Sequence, residues 1–549
     1  MRSPTKYSVL AWLLGIPFSY LTLGFLNNFY SSLFEILLLA ILVHSFTSLF
    51  IHYLIGRARL DFRSNPVEAW IAIALFTGIA VFLGVLVNMA SRFPTQFDMT
   101  FYSVEQKALI YFFAGLAVSF PASHWTLAWI RQKNIRSTRL FSFVDGHLGG
   151  LLLAALFFLV YFHLSSIFNQ PIFRFDDIFF DTDSELWRWR FATEYYQDYY
   201  ERTVHPYVLI IVRPLVWVIS LFLKGNTLYA TFALLALTGA LCVYLVWYFV
   251  KETTRGWLYA LLIASLFGAS TSQLMFGSLI ETYGFLGAAA LIFIVLLLKD
   301  KPLYALVITG LAAFGITVSN IAQTFIAHLV VKRDIKQLIK YGLIVGALVV
   351  PLNLLSGYIY PDTHPYFWDL SPLQYEEKNV FPINIQRANY LARVVFLHSV
   401  VAPEPLLLKE DIPFLKVWMF RASMKKAPMQ IASYETWFDS SVAFLWVVLI
   451  LLGAALFLKN FSKQDQRFSF VFILTILFYF VLHLRYGRDV FLYSSNWTYA
   501  IILTLALAWR ELSEKRWFQI SLLAFIVLLL ANNSRLILIM HTASYLPLR

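Results

Sequence analysis

Apolar runs long enough to cross a lipid bilayer recur along the whole chain. About fifteen of them fall between residues 7 and 536 of the 549-residue sequence. A transmembrane helix needs about 20 mostly apolar residues, or fewer where flanking side chains reach the interface. Backbone polar groups in lipid must pair within their own segment, so such runs fold as helices. The sequence therefore predicts an all-α, polytopic membrane protein of about fifteen spans.

The composition supports this class and excludes others. Hydrophobic residues make up 60% of the chain and charged residues only 13%, whereas soluble domains carry about 25% charged residues. The single cysteine, Cys242, excludes a disulfide scaffold. The net charge, 43 − 31 = +12, would suggest a nucleic-acid partner in a soluble protein. In a membrane protein it is typical of basic cytoplasmic loops, and we predict membrane lipids and no nucleic acid as partners.

Clusters of lysine and arginine between the runs predict the orientation. Seven clusters, from the one at Arg57 to the one at Arg516, are expected to face the cytoplasm. The N-terminus is then cytoplasmic and the C-terminus extracytoplasmic, in the plasma (inner) membrane. Segment 205–224 is apolar enough to span, but spanning would put three basic loops outside. We therefore predict that it is a juxtamembrane or re-entrant helix on the outer side.

This topology divides the chain into four parts. Residues 1–139 form a four-helix membrane region with no assigned role, and residues 140–360 form a module with a hydrophilic outer segment at 169–204. Residues 361–440 are mostly a second outer segment, rich in proline and aromatic residues. Residues 441–549 are the C-terminal transmembrane helices.

The first outer segment is strongly acidic. It holds eight of the 31 acidic residues of the chain: Asp176, Asp177, Asp181, Asp183, Glu185, Glu194, Asp198 and Glu201. A carboxylate there could act as a general base, because desolvation and a like charge raise its pKa. Asp176, Asp177 and Asp181 could instead hold a divalent cation through oxygen ligands. The alternative is a solvated acidic loop without chemistry.

The order of features after this segment resembles a known family. A His-Pro pair at His205 opens a helix, Glu281 and Tyr283 begin a later apolar run, and a polar break follows at Asn320. In this order the chain resembles the GT-C superfamily of polytopic glycosyltransferases, and more narrowly the protein mannosyltransferase and aminoarabinose transferase branch. The resemblance covers roughly residues 146–358. The four spans before Arg139 depart from it, because the family usually starts with the span before the acidic segment.

The resemblance implies a reaction and roles for residues. Such enzymes pass a hexosyl or pentosyl group from a polyprenyl-phosphate carrier to a glycan, lipid or protein acceptor on the extracytoplasmic side. A first-segment carboxylate, Asp177 or Asp176, would be the base. The lipid phosphate that leaves needs cationic or hydrogen-bonding partners, and the candidates are Arg387, Arg393 and, preferred for its place in a turn, Arg488. The further substrate-binding candidates are Glu281, His205 and Asn320.

Each of these residues also has a structural explanation. The arginines could be interfacial anchors, Glu281 a helix start exposed to water, Asn320 a cap at a kink and His205 an ordinary loop residue. Three other functions stay open: a lipid-linked-sugar transporter or flippase, a polymerase or ligase of surface polysaccharide with its key residues in the second outer segment, and a non-catalytic assembly protein.

Overall fold

The apolar runs of the sequence are helices in the computed structural model of the chain. The structure describes residues 6–173, 175–193, 204–361, 371–409, 415–422, 428–462 and 465–545. The helices in this part of the chain are α1 Lys6–Asn27, α2 Leu33–Ser64, α3 Pro66–Ala90, α4 Leu109–Gln132, α5 Arg139–Phe168, α6 Ser184–Ala192, α7 Val208–Ser220, α8 Thr227–Thr254, α9 Trp257–Gly268, α10 Thr271–Phe276, α11 Tyr283–Leu298, α12 Leu303–Ile316, α13 Ile321–Lys332, α14 Ile335–Ile359, α15 Ile385–Arg393, α16 Trp437–Lys459, α17 Arg467–His483, α18 Thr498–Ala508 and α19 Arg516–Tyr545.

Among the described residues, nine helices are long and apolar enough to cross a bilayer: α1–α5, α8, α14, α16 and α19. The count rises to 10 if the bent pair Val490–Asn496 and Thr498–Leu512 forms one span. The protein is thus an all-α multi-pass membrane protein, as predicted. The count of fifteen spans is not confirmed, because several predicted runs are shorter or broken helices.

Two of the breaks have clear causes. The run 258–275 is divided into α9 and α10 at Ser270, whose side chain caps α10 by accepting a hydrogen bond from the Gln273 amide. The next break, between α10 and α11, is held by Asn169 at the end of α5. Its amide nitrogen donates to the Ser278 carbonyl (2.7 Å), and its side-chain oxygen accepts from the Ile280 amide (2.8 Å). Backbone groups freed by the breaks therefore find partners.

The chain forms two compact units, and each is described separately. The first comprises Met1–Ala74, Phe97–Leu151 and Ser220–Asn226, and the second comprises Leu75–Gln96, Leu152–Ile219 and Thr227–Arg549. In the first unit, α2 packs on both α1 and α4. The four parts of the chain predicted from sequence stay predictions.

Helix α7, within the segment expected to lie at the membrane surface, has two unlike apolar faces. Val208, Val212 and Val216 are buried, whereas Leu215 and Trp217 are exposed. With its continuation to Leu223 the helix is shorter than the spanning helices. An exposed apolar face suits a helix that lies in the interface, and the juxtamembrane position stays a prediction.

Short strands in the second outer segment join it to the first. Strand β1 (Leu406–Leu408) pairs antiparallel with β2 (Lys416–Trp418), and β3 (Phe420–Arg421) pairs with β4 (Gln430–Ile431). The other side of β2 forms a parallel bridge between Val417 and Phe179. This pairing brings the acidic segment beside β2.

Candidate functional site

The acidic segment folds into a tight loop with an unusual backbone. Asp177, Phe180 and Asp181 have φ angles of 65°, 56° and 63°. This left-handed region is uncommon for residues other than glycine; asparagine and aspartate tolerate it best, and a bulky residue such as Phe180 seldom adopts it. Hydrogen bonds hold the loop in this form: the Asp177 amide donates to the Thr182 carbonyl, and the Phe180 amide donates to the Val417 carbonyl, both at 2.8 Å. Backbone strain of this kind costs energy and is concentrated at functional sites.

This loop presents two carboxylates to two cations, and we call Asp177, Asp181, Lys416 and Arg488 the Asp177 cluster. Nη2 of Arg488 lies 3.0 Å from Oδ2 of Asp177 and also contacts Oδ1 of Asp181. Nζ of Lys416 lies 3.6 Å from the same Asp177 oxygen. The side chains of Asp181 and Lys416 are only 6% and 7% exposed. Charges this far from water interact more strongly than surface pairs.

Trp418 completes the wall around the cluster. Its indole nitrogen donates to the Asp177 carbonyl at 2.8 Å, and its ring lies 5.6 Å from the Arg488 guanidinium and 5.7 Å from the Lys416 ammonium. Stacking on an aromatic face holds a cation without neutralising it. Trp418 therefore fixes both the loop backbone and the cations.

The carboxylates near the cluster have perturbed acidities. Burial raises the pKa of Asp181, as does the charge of Asp177, while Arg488 acts in the opposite direction. Burial likewise raises the pKa of Asp489 to about 7, against the stabilising hydrogen bonds from the Met419 and Phe491 amides. Such shifts are frequent at functional sites.

Asp176 and Asp177 are adjacent but have different environments. Oδ1 of Asp176 accepts hydrogen bonds from the Glu185 and Leu186 amides, at 2.9 and 3.1 Å, at the start of α6. Burial raises the pKa of Asp176 to about 7, and the charge of Asp183 adds to the shift. Asp176 therefore faces α6, whereas Asp177 faces Lys416 and Arg488.

The three predicted metal ligands are engaged by other groups of the chain. Asp177 and Asp181 are engaged by Arg488, and Asp176 is engaged by backbone amides. In the described part of the chain, no group of three or more histidine, cysteine or acidic side chains has a geometry that could hold a metal ion. Glu194, Asp198 and Glu201 lie outside the described residues.

Arg387 donates hydrogen bonds to the turn that precedes Arg488. Arg387, on α15, is fully buried. It donates to the carbonyls of His483, Leu484, Tyr486 and Gly487 at 2.9–3.2 Å. Gly487 has a φ of 101°, which glycine adopts without strain, and allows the chain to turn into Arg488. In this structure Arg387 positions the turn, and its predicted contact with a lipid phosphate stays a prediction.

Removing this support should destabilise the protein. We expect Arg387→Leu to lower the free energy of unfolding by about 3 kcal/mol or more, because several buried carbonyls lose their donor. The matched control is Arg393→Leu, since among the described residues Arg393 makes one long hydrogen bond, at 3.3 Å, to the Ala432 carbonyl. Thermal unfolding in detergent measures both. Equal unfolding temperatures for the two variants would contradict this role.

Glu281 lies in the break between α10 and α11 and is buried, with 2% of its surface exposed. Its Oε2 accepts from the Thr282 amide at 3.2 Å. Both Glu281 and Asp183 are close enough to Tyr283 to interact electrostatically with its hydroxyl. This acid is therefore not at a water-exposed helix start, and a substrate-binding role for it stays a prediction.

His205 and Asn320 lie at the break between α12 and α13. Nδ1 of His205 lies 2.6 Å from the Ile316 carbonyl, and its ring meets Trp187 of α6 edge-on at 5.2 Å. Oδ1 of Asn320 accepts from the Tyr479 hydroxyl (2.6 Å) and from Gln323 (3.0 Å). Both side chains thus make structural hydrogen bonds at the break between α12 and α13, and their substrate roles stay predictions.

The structure therefore brings together three of the residues selected from sequence: Asp177, Arg488 and Asp181, the last of which was a candidate metal ligand only. Sequence reasoning missed Lys416 and Trp418. Nothing in the sequence marks these two among the many basic and aromatic residues of the second outer segment, since their role comes from strand pairing. No family model, curated protein or solved structure matches this chain.

Proposed function

We propose that the protein is a membrane glycosyltransferase that moves a hexosyl or pentosyl group from a polyprenyl-phosphate donor to an acceptor on the extracytoplasmic side. The observation that carries the proposal is the contact of Asp177 with Arg488 and Lys416. This contact brings one carboxylate and two cations together from three segments that are far apart in the sequence.

The chemistry of the reaction needs both kinds of charge. As the acceptor hydroxyl attacks the anomeric carbon, its proton passes to a carboxylate, for which Asp177 is the candidate. The bond between the anomeric carbon and the phosphate oxygen breaks, and its electron pair leaves with polyprenyl phosphate. Arg488 and Lys416 stabilise the charge that develops on this phosphate.

Asp181 has a positioning role in this scheme. It contacts the same Arg488 nitrogen as Asp177, so Arg488 keeps a buried anionic partner when Asp177 takes up a proton. Fixed charges of this kind need little reorganisation during the reaction.

The environment of Asp176 gives a pH-dependent prediction. Its folded-state pKa of about 7 lies above the ordinary value of 3.8. Its contribution to stability is therefore present below the ordinary value and is lost as the pH rises through about 7. Relative to Asp176→Asn, the wild type should lose stability between about pH 4 and pH 7. Thermal unfolding of both proteins across this range measures the difference.

A control of opposite sign comes from Asp98, which is fully exposed. Hydrogen bonds from Thr100 hold its pKa below the ordinary value, so its contribution is lost as the pH falls. Asp98→Asn should therefore show a small difference in the reverse direction. A pH-independent difference between the wild type and Asp176→Asn would contradict the prediction for Asp176.

The function itself is tested with the full-length protein in native membranes. Polyprenyl-phosphate-linked hexoses and aminopentoses are supplied one at a time, and the release of polyprenyl phosphate is measured against membranes without the protein. We expect release from at least one donor. If the protein is a non-catalytic assembly protein, with the Asp177 cluster as a structural ion group, no donor is consumed and the proposal fails.

A further inference from the structure

The first unit contains a polar seam between its helices. Helices α1, α2 and α4 contribute side chains spaced by one or two helical turns: Ser8, Trp12 and Ser19 from α1; His44, Ser48 and His52 from α2; Ser119 and Ser123 from α4. Polar groups at membrane depth are costly and are more often functional than those in water. A unit that only anchored the protein in the membrane would not need this polar seam.

Side chains of α1, α2 and α4 pack closely around His44 in the seam. Ser19 Oγ lies 2.8 Å from His44 Nδ1, and the Trp12 indole donates to Ser119 Oγ at 3.1 Å. Trp12 also meets the His44 ring edge-on at 5.3 Å. A Cβ at Gly15 would lie 3.2 Å from His44 Cε1, so glycine allows α1 to approach α2 here.

Two polar atoms of the seam lack a hydrogen-bond partner in the described part of the chain. They are Nε2 of His44 and Oγ of Ser48, and neither is accessible. The two residues are 0% and 4% exposed. Buried polar atoms are nearly always paired with protein or with ordered water, so these two atoms point to a ligand.

A small cavity is lined by Ser48 and by residues that lie nearer to one end of the unit. Its volume is about 20 Å³, and its polar lining comes from Ser8, Ser48, His52, Ser123 and His124. About 10–15 Å³ is enough for one water molecule. His44 lies one helical turn deeper than Ser48. The lining residues lie toward the end of the unit at which α2 carries Arg57 and Lys133 follows α4, here called the basic end.

The opposite half of the unit is closed by apolar side chains. Leu23, Ile36, Ala40, Phe112 and Leu116 form a buried cluster there. Water has no polar partner in such a layer. A path along the seam would therefore end at the Ser19–His44 pair.

We propose that the first unit holds a one-sided hydrated pocket, in which water bound along Ser48 and His44 is in contact with solvent at the basic end only. The ligand class is a small hydrogen-bonding molecule, and water is its occupant in the membrane. This site is independent of the Asp177 cluster and of the proposed sugar transfer.

Silver ion, which is hardly larger than water and reacts with thiols, tests the pocket. The full-length protein with Cys242→Ser serves as background, because the native cysteine is the only one. Ser48→Cys and Ser123→Cys place thiols in the pocket. Ala108→Cys, in the apolar layer, is the dry control. Ser137→Cys, at the basic end, and Ser32→Cys, at the other end, are both exposed and report which face the ion reaches.

Silver is added to one face of sealed, oriented vesicles, and thiols left unblocked are counted after denaturation. We expect both pocket thiols to be blocked at least tenfold faster than Ala108→Cys from the face that reaches Ser137→Cys, and not from the face that reaches Ser32→Cys. Two pocket positions guard against failure of one variant to fold. Blocking as slow as at Ala108→Cys from both faces, or blocking from the Ser32→Cys face, would overturn the proposal.

Discussion

Asp177→Asn is expected to lower the rate of sugar transfer by a factor of about 10²–10⁴, the usual contribution of a general base. The chain should remain folded, because asparagine adopts the left-handed conformation of this residue more readily than most residues do. The substitution removes one negative charge that faces Arg488 and Lys416. Donor binding should therefore persist or become tighter while turnover is lost.

Transfer rates and donor affinity are measured separately to test this. Glu105→Gln is the matched control, since Glu105 is an exposed acid in the loop before α4. It should keep wild-type transfer. If Asp177→Asn retains more than half of the wild-type rate with an intact fold, Asp177 is not the base.

The second large effect is expected for Arg488→Gln. Asp181, with 6% of its side chain exposed, would lose its cation, and breaking a buried ion pair on one side costs about 3–5 kcal/mol. Transfer should be lost as well, because the leaving phosphate loses a positive partner. Thermal unfolding and donor consumption are measured on the same preparation.

A double variant separates the two effects of this change. Asp181→Asn in the Arg488→Gln background removes the unpaired charge and should recover most of the lost stability. Transfer should stay lost, since neither substitution supplies a cation. Recovery of transfer together with stability would show that Arg488 acts only on the fold.

The sequence is sufficient to predict the helical membrane fold, since apolar runs and closed backbone hydrogen bonding leave few alternatives. It is not sufficient to predict the span count. The break at Ser270 depends on a local side-chain cap, and the break beside Asn169 depends on hydrogen bonds between distant segments. Hydropathy records neither.

The candidate site could be predicted only in part, again because contacts between distant segments are not visible in the sequence. Asp177 and Arg488 each stand out locally, one in an acidic segment and the other in a turn, but their contact depends on the tertiary fold. Lys416 carries no local signal, because it enters the site through the pairing of β2 with the acidic loop. The polar seam of the first unit, in contrast, is visible in the sequence. His44, Ser48 and His52 follow one another at intervals of four residues on α2, which places them on one face of the helix.

The most direct measurement is the release of polyprenyl phosphate from a labelled polyprenyl-phosphate sugar by the full-length protein in native membranes, which supply the acceptor. The wild type, Asp177→Asn and Glu105→Gln are compared in one time course with saturating donor. The proposed mechanism predicts release by the wild type and by Glu105→Gln, and release at least 100-fold slower by Asp177→Asn. Equal release by all three proteins would contradict a base at Asp177, and release by none with any donor would contradict the enzyme itself.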